Sequence, residues 1–355
     1  MFVAWRDLKA ARGRFTLIAV VVTLITTLVT FLAGLTGGLA TQNVSAITSL
    51  DADRIVFSTP PGQAPTYADS VITRRHADVW AGQNGRGEAV PLGISTTRLS
   101  ADERHEAVTL FGGGPGTTSA PPPDRGHVAL GAETASALGV TRGDRVEVRG
   151  RTFTVDVTDD TRWYSHMPVA YVDLADWRAV AAQPGSPMPY ATVLAVSGTG
   201  ADHEALDAAA GTSSKGLLSS LTALGSFRSE IGSLLLMVGM LFGISALVVG
   251  AFFAVWSVQR RPDVAVLKAM GATDRMLTLD ALGQAAVVLL VGVGAGIAMT
   301  SVLGVAAGAV LPFVLSPLTT LVPGLAMTTL GLAGAALATR SVTRTDPLTA
   351  LGSNR

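Results

Sequence analysis

Around residue 230 a short stretch gathers side chains able to bind a metal centre. Glu230 brings a carboxylate, Met237 and Met240 bring thioethers, Arg228 a fixed positive charge and Phe227 an aromatic face. Carboxylate oxygen and thioether sulfur both ligate iron centres, as Met does in cytochromes. On a helix Glu230 and Met237 stand two turns apart, on nearly the same side and roughly 10 Å from each other along the axis. Arg228 can then pair with an acidic substituent, and Phe227 can stack on a flat ring. The plain alternative is an interfacial Glu230–Arg228 pair beside methionines that only fill space. Tyr164, His166 and Met167 form a second candidate set, offering phenol, imidazole and thioether within five residues of one another.

Other chemistry is missing from the chain. A phosphate-cradling loop needs Gly-Lys followed by Ser or Thr. Lys9, Lys215 and Lys268 are preceded by Leu8, Ser214 and Leu267, so any ATP hydrolysis belongs to a partner. His76, His105, His127, His166 and His203 show no metal-pair spacing, and the absence of Cys excludes disulfides, thiolate ligands and a cysteine nucleophile. No nucleophile and base fall together. The expectation is a protein that is not itself an enzyme and holds no intrinsic cofactor or resident metal.

The elements that carry these residues are apolar. Of 355 residues only 15% are charged and 48% are hydrophobic, against roughly 25% charged in an average soluble domain. Residues 15–50, 231–259 and 281–339 contain no Asp, Glu, Lys or Arg. Runs of about 18 or more such residues are membrane-helix candidates. The expected order is a cytoplasmic amphipathic segment 1–14, a first span 15–40, an outer domain 41–225 and a second span 226–258. A cytoplasmic loop 259–280, a third span 281–310, a short outer loop 311–322, a fourth span 323–340 and a cytoplasmic tail 341–355 follow. Pro312, Pro317 and Pro323 mark the break between the last two spans. The fold class is therefore an α-helical membrane protein with four transmembrane helices and a mixed α/β extracytoplasmic domain inserted between helices 1 and 2.

Charge sets the expected orientation. The two termini and the 259–280 loop carry eleven basic residues against five acids, whereas 41–230 carries fifteen basic residues against twenty-one acids. Cytoplasmic flanks are enriched in Lys and Arg, so both termini are expected inside a plasma membrane and the large domain outside. Phe2, Trp5 and Leu8 suit a helix lying on the inner leaflet. A net charge of zero without a basic face argues against nucleic acid as a partner.

Within the outer domain, Val146 and Val148 alternate up to Arg149-Gly150-Arg151, and Phe153, Val155 and Val157 alternate beyond it, which predicts a hairpin. Gly131 to Val140 predicts a short helix. Phe111 to Gly126, rich in Gly and ending near Pro121-Pro122-Pro123, predicts a loop. Gly239 and Gly243, Gly292 and Gly296, and Gly304 and Gly308 recur at the four-residue spacing that permits close helix packing.

The loop between spans two and three carries the most specific pattern. From Pro262, through Asp263, Val264, Leu267, Lys268 and Met270 to Gly271, it predicts a helix with Pro in its first turn and Gly at its stop. This segment resembles the coupling helix of the FtsX-like permeases, the MacB-type (type VII) ABC transporters, with Asp263 standing where the family usually has Glu. Trp5-Arg6-Asp7-Leu8-Lys9 is similar to that family's lead-in to its first span. Asp346-Pro347-Leu348-Thr349-Ala350-Leu351 is similar to its ending. Asn43-Val44-Ser45-Ala46-Ile47, Ala52-Asp53, Val56-Phe57-Ser58 and Trp163 to Val169 resemble the haem-exporting members of the family.

The resemblance implies a permease subunit acting as a homodimer with two copies of an ATPase that binds ATP. Arg261, Asp263, Leu267, Lys268 and Met270 would contact that ATPase. Movement would pass through long first and second helices to the outer domain, and haem would be the transported substrate, taken from the lipid bilayer. Two alternatives stay open within the same fold: a signalling protein that activates cell-wall hydrolases, and an exporter of a lipoprotein, peptide or macrolide.

Overall fold

The computed structural model describes residues 12–59, 62–82, 88–118, 122–183, 185, 188–198, 202–259, 266, 268–308 and 310–343. Residues 1–11 of the expected inner-leaflet segment, together with Arg261, Asp263 and Leu267 of the expected coupling helix, lie outside the described residues. The chain divides into two compact units, Met1–Gly38 with Ser233–Arg355, and Leu39–Gly232.

In the first unit, four helices among the described residues are long and apolar enough to cross a membrane. They belong to the helices Arg12–Thr48, Gly225–Gln259, Asp274–Ala307 and Pro317–Thr343. Their shared core joins Ile18, Val22 and Val29 of the first helix to Val288, Leu289 and Val293 of the third, with Val249 and Phe253 of the second. Small residues set the spacing. A Cβ on Gly292 would stand 2.7 Å from Val22, and one on Gly296 would stand 2.6 Å from Thr26, so the third helix lies against the first only because these positions carry no side chain. Hydroxyls lock the same seam, where Thr30 Oγ1 and Thr300 Oγ1 are 2.6 Å apart and Thr27 Oγ1 donates to the Gly296 carbonyl. Gly239 and Gly243 meet nothing within 4 Å.

The fourth helix begins at Pro317, six residues before the expected 323, and Pro323 sits inside it. A local cap explains the difference. Thr319 N–H donates to Ser316 Oγ at 3.2 Å while Ser316 N–H donates to Thr319 Oγ1 at 3.0 Å, a reciprocal box that places Pro317 at the first helical position, where its missing N–H is harmless.

The second unit is built on one ten-stranded sheet of order β10-β1-β9-β2-β3-β8-β4-β6-β5, with β7 paired to β8. The strands are β1 Arg54–Phe57, β2 Glu88–Ala101, β3 Arg104–Gly113, β4 His127–Gly131, β5 Arg145–Val148, β6 Arg151–Thr158, β7 Trp163–Tyr164, β8 Met167–Asp173, β9 Val193–Ser197 and β10 Ser213–Gly216. A bridge between Ser100 of β2 and Glu147 of β5 closes the second half on itself. That ring encloses Leu99, Val108, Leu110, Val128, Leu130 and Val155, and Trp177 packs with them. Beside it lies a second core of Ile47, Ile55, Phe57, Leu92, Phe111 and Leu224.

The expected hairpin is β5 and β6, turning through Arg149 and Gly150 in left-handed conformation. The expected helix at 131–140 runs Ala132–Leu138. The expected loop 111–126 starts later, because β3 continues through Phe111, Gly112 and Gly113 in parallel pairing with β8. Trp177 accounts for the glycine: a Cβ on Gly112 would stand 2.1 Å from the Trp177 Cβ, so the indole packs flat on a bare strand.

Candidate substrate-binding site

The site forms within the second unit, where a two-residue turn meets helical residues at either end of the unit's chain. β7 and β8 pair antiparallel with Trp163 opposite Pro168 and Tyr164 opposite Met167, leaving Ser165 and His166 as the turn. Both have positive φ, 48° and 63°, as a tight hairpin turn of this length requires. Asn or Gly usually occupies such positions, so a Ser-His pair there is held under local strain. The turn is anchored from outside, since Ser165 N–H donates to the Asn43 carbonyl and His166 N–H to the Gln42 carbonyl, each at 3.0 Å. Trp163 N–H donates to Ser45 Oγ at 2.8 Å.

This anchoring aims His166 at Glu230. His166 Nε2 lies 2.9 Å from Glu230 Oε2, both side chains about one-third exposed. Asn43, 1% exposed, donates from Nδ2 to the same Glu230 oxygen at 2.7 Å. Its own Oδ1 accepts from Ser226 Oγ at 2.9 Å, and Ser226 Oγ lies 2.9 Å from Ser165 Oγ. A buried amide thereby fixes carboxylate, imidazole and two hydroxyls in one network, in which each group is held by neighbours that are themselves held. Carboxylate oxygen and imidazole nitrogen are both ligands for iron. Among the described residues no group of three or more His, Asp or Glu is arranged to hold a metal ion, so the pair is not a closed ion cage.

The two candidate sets from the sequence meet here, though not in full. Glu230 of the first and His166 of the second are joined. Phe227 is half-buried against the neighbouring core. Arg228 is exposed. Met237 and Met240, further along the helix Gly225–Gln259, are 52% and 61% exposed. Met167 is half-buried beside the turn. Tyr164 instead belongs to the core, 8% exposed, with its ring edge-on to Tyr67 and Phe111. Burial pushes its phenol well above the ordinary range, with Tyr67 adding to the rise, which disfavours the phenolate that would bind iron. Of the coupling residues, Lys268 is half-buried and Met270 is exposed at a helix end, where Gly271 has a positive φ. Asn43, Ser165 and Ser226 were missed as site residues. Asn43 offered the one usable signal, a polar residue closing a long uncharged run.

The chain is similar to several known proteins. Residues 235–347 match the family described as FtsX-like permease C-terminal. The putative hemin transport system permease protein HrtB of Staphylococcus haemolyticus strain JCSC1435 is 24% identical over 363 residues, covering 99% of each chain. The protein of the same name from Staphylococcus epidermidis strain ATCC 12228 / FDA PCI 1200 is 22% identical over 356 residues, again covering 99% of each. Two solved structures are also similar to part of the chain. One is the extracellular domain of the noncanonic ABC-type transporter YknZ from Gram-positive bacteria, at 16% identity and TM-score 0.34, covering 46% of this chain and 99% of that one. The other is the periplasmic region of MacB from Actinobacillus actinomycetemcomitans, at 12% identity and TM-score 0.34, covering 50% and 94%. Residues 235–347 thus carry an FtsX-like permease C-terminal domain, in a chain whose described residues include four helices long and apolar enough to cross a membrane and an α/β domain between the first and second of them.

Proposed function

We propose that this permease is the membrane half of an ATP-driven exporter, working as a homodimer with two copies of a separate ATPase, and that its cargo is haem. Both termini face the cytoplasm and the α/β unit lies outside, following the charge asymmetry of the sequence. The observation that carries the cargo assignment is the Glu230–His166 pair oriented by buried Asn43. The names of the staphylococcal relatives support the same cargo.

Haem presents iron, an apolar ring and two carboxylates. Glu230 or His166 supplies the ligand, and when one binds iron the other and Asn43 retain its orientation. Exposed Arg228 is available for a propionate. Met237 and Met240 offer thioethers from the same helix, as their sequence spacing suggested. The homodimer reading is supported by the helix Gly225–Gln259, whose apolar window is only 11% buried and whose Gly239 and Gly243 are uncovered. Arg261, Asp263, Leu267, Lys268 and Met270 seat the ATPase, with apolar side chains in a groove and charges at its rim.

The test is co-expression with a candidate ATPase subunit, followed by ATP hydrolysis in lipid with and without haemin. Haemin-stimulated hydrolysis, lost in Leu267→Asp, supports the exporter. Hydrolysis indifferent to haemin and dependent on a secreted cell-wall hydrolase rejects it in favour of a signalling role.

A further inference from the structure

The connection between the third and fourth helices of the first unit, Val310-Leu311-Pro312-Phe313-Val314-Leu315-Ser316, lies wholly inside the charge-free run 281–339. One side of this loop is keyed onto the first helix. The Phe313 ring occupies the space that a Cβ on Gly34 or on Gly304 would need, and its centroid lies 5.0 Å from that of Phe31. The Pro312 carbonyl fills the corresponding place at Gly38, and Val314 N–H donates to the Gly34 carbonyl at 3.1 Å. The loop is thereby fixed at the level of Gly34 and Gly38 along the first helix.

That level matters for a chain in a bilayer. Gly34 lies 20 residues beyond Arg14, the last charged residue before it, which is about 30 Å along a helix and matches the thickness of a hydrocarbon core. Irregular backbone is costly at such a depth unless the protein itself satisfies its polar groups. Here it does so at several points. Val310 and Leu311 N–H donate to the Ala307 carbonyl at 3.0 and 2.8 Å, Ser316 N–H donates to Thr319 Oγ1 at 3.0 Å, and Pro312 and Pro317 have no N–H to place. Thr319 Oγ1 in turn donates to the Val314 carbonyl at 2.9 Å.

The other side of the loop is bare. Val310 is 86% exposed, Leu318 73%, and Leu311 and Leu315 45% each. We propose that acyl chains of the far leaflet, the one opposite Arg14, cover these four side chains, so that the loop is a hydrophobic foot in the bilayer and not a connection through water. A water-facing loop carries polar side chains among its apolar ones, whereas this one clusters large apolar groups without a single charge. Val305 of the third helix and Leu321 of the fourth, 73% and 53% exposed, continue the apolar surface along both neighbouring helices. An apolar surface that runs on in this way fits lipid better than the bounded patch of a second copy. Only membrane-spanning helices are needed for this; the haem cargo and the dimer are not.

The chain has no Cys, so a single-cysteine variant takes a nitroxide at one place. Val310→Cys, Leu311→Cys and Leu315→Cys are labelled in the full chain in lipid nanodiscs. Power-saturation EPR then compares collisions with oxygen, which concentrates in lipid, and with a nickel chelate, which stays in water. Leu290→Cys, on an exposed flank of the third helix, is the lipid reference, and Glu204→Cys, exposed on the α/β unit, is the water reference. The oxygen-to-nickel ratio at each loop position is expected to stand several-fold above that of Glu204→Cys, on the side of Leu290→Cys. A ratio equal to that of Glu204→Cys puts the loop in water and overturns the proposal. Low collision rates with both reagents put protein over the loop, a second copy included, and overturn it as well. If Leu290→Cys itself reports water, the membrane-spanning helices fail together with the proposal, an outcome separate from failure of the loop alone.

Discussion

His166 Nε2 and Glu230 Oε2 lie 2.9 Å apart although 64 residues separate them in the chain. The contact depends on a turn that places His166 in a conformation an L-residue seldom adopts, φ 63°. A turn free to choose would carry glycine or asparagine there, so the strain accompanies the imidazole's position.

His166→Gly separates the two contributions. Glycine relieves a left-handed backbone penalty of about 1 kcal/mol and forfeits a hydrogen bond of about the same size. The melting temperature of the variant should therefore stay close to wild type while its haemin affinity falls. A large loss of stability would show that the imidazole is a structural prop.

Asn43 holds the network from a buried position. Asn43→Ala leaves Ser226 and Glu230 without the amide and should destabilise the α/β unit by about 1–3 kcal/mol. Asn43→Asp brings a second carboxylate toward Glu230 and should lower haemin binding further than Asn43→Ala does. Thermal unfolding and haemin titration read the two effects separately.

Two glycine pairs at the same spacing are expected to respond differently. Gly296→Val drives a side chain into Thr26 and should destabilise the helical unit by about 1–3 kcal/mol or more, as overpacking does. Gly239→Val meets nothing in the single chain, so it should leave the monomer folded and shift the dimer toward monomer in native mass spectrometry. An unchanged dimer would remove the second helix from the interface.

Exposed Met270 ends the expected coupling helix. Met270→Asp should leave haemin binding intact and abolish haemin stimulation of the partner's ATP hydrolysis, measured on the reconstituted complex. Stimulation at the wild-type level would remove this loop from the ATPase contact.

Much of the architecture was legible because it rests on local signals. Charge-free runs mark the apolar helices, and Val146, Val148, Phe153 and Val155 alternate about an Arg-Gly turn that forms as read. The start of the fourth helix was also in the sequence, in Ser316-Pro317 with Thr319, but the later Pro323 obscured it. Glu230 was legible as a carboxylate at the edge of an apolar run, and His166 as a ligand type. Their meeting was not, because Ser165-His166 carries no turn signature and Asn43 is recruited from the far end of the first long helix. The burial of Tyr164 was not legible for a related reason: a two-residue strand gives no period from which to tell the buried face from the open one.

A haemin titration of the purified protein, followed in the Soret band, tests the proposal that Glu230 and His166 form the haem site. Wild type should show a shifted, saturable Soret band. Glu230→Ala and His166→Ala should each move that band and weaken binding about tenfold or more, the scale of one lost ligand or charge-assisted hydrogen bond, with Glu230→Ala plus His166→Ala weakest. Soret spectra and affinities equal to wild type in both single variants and the double variant would contradict the site, and no saturable haemin binding by wild type would contradict the cargo itself.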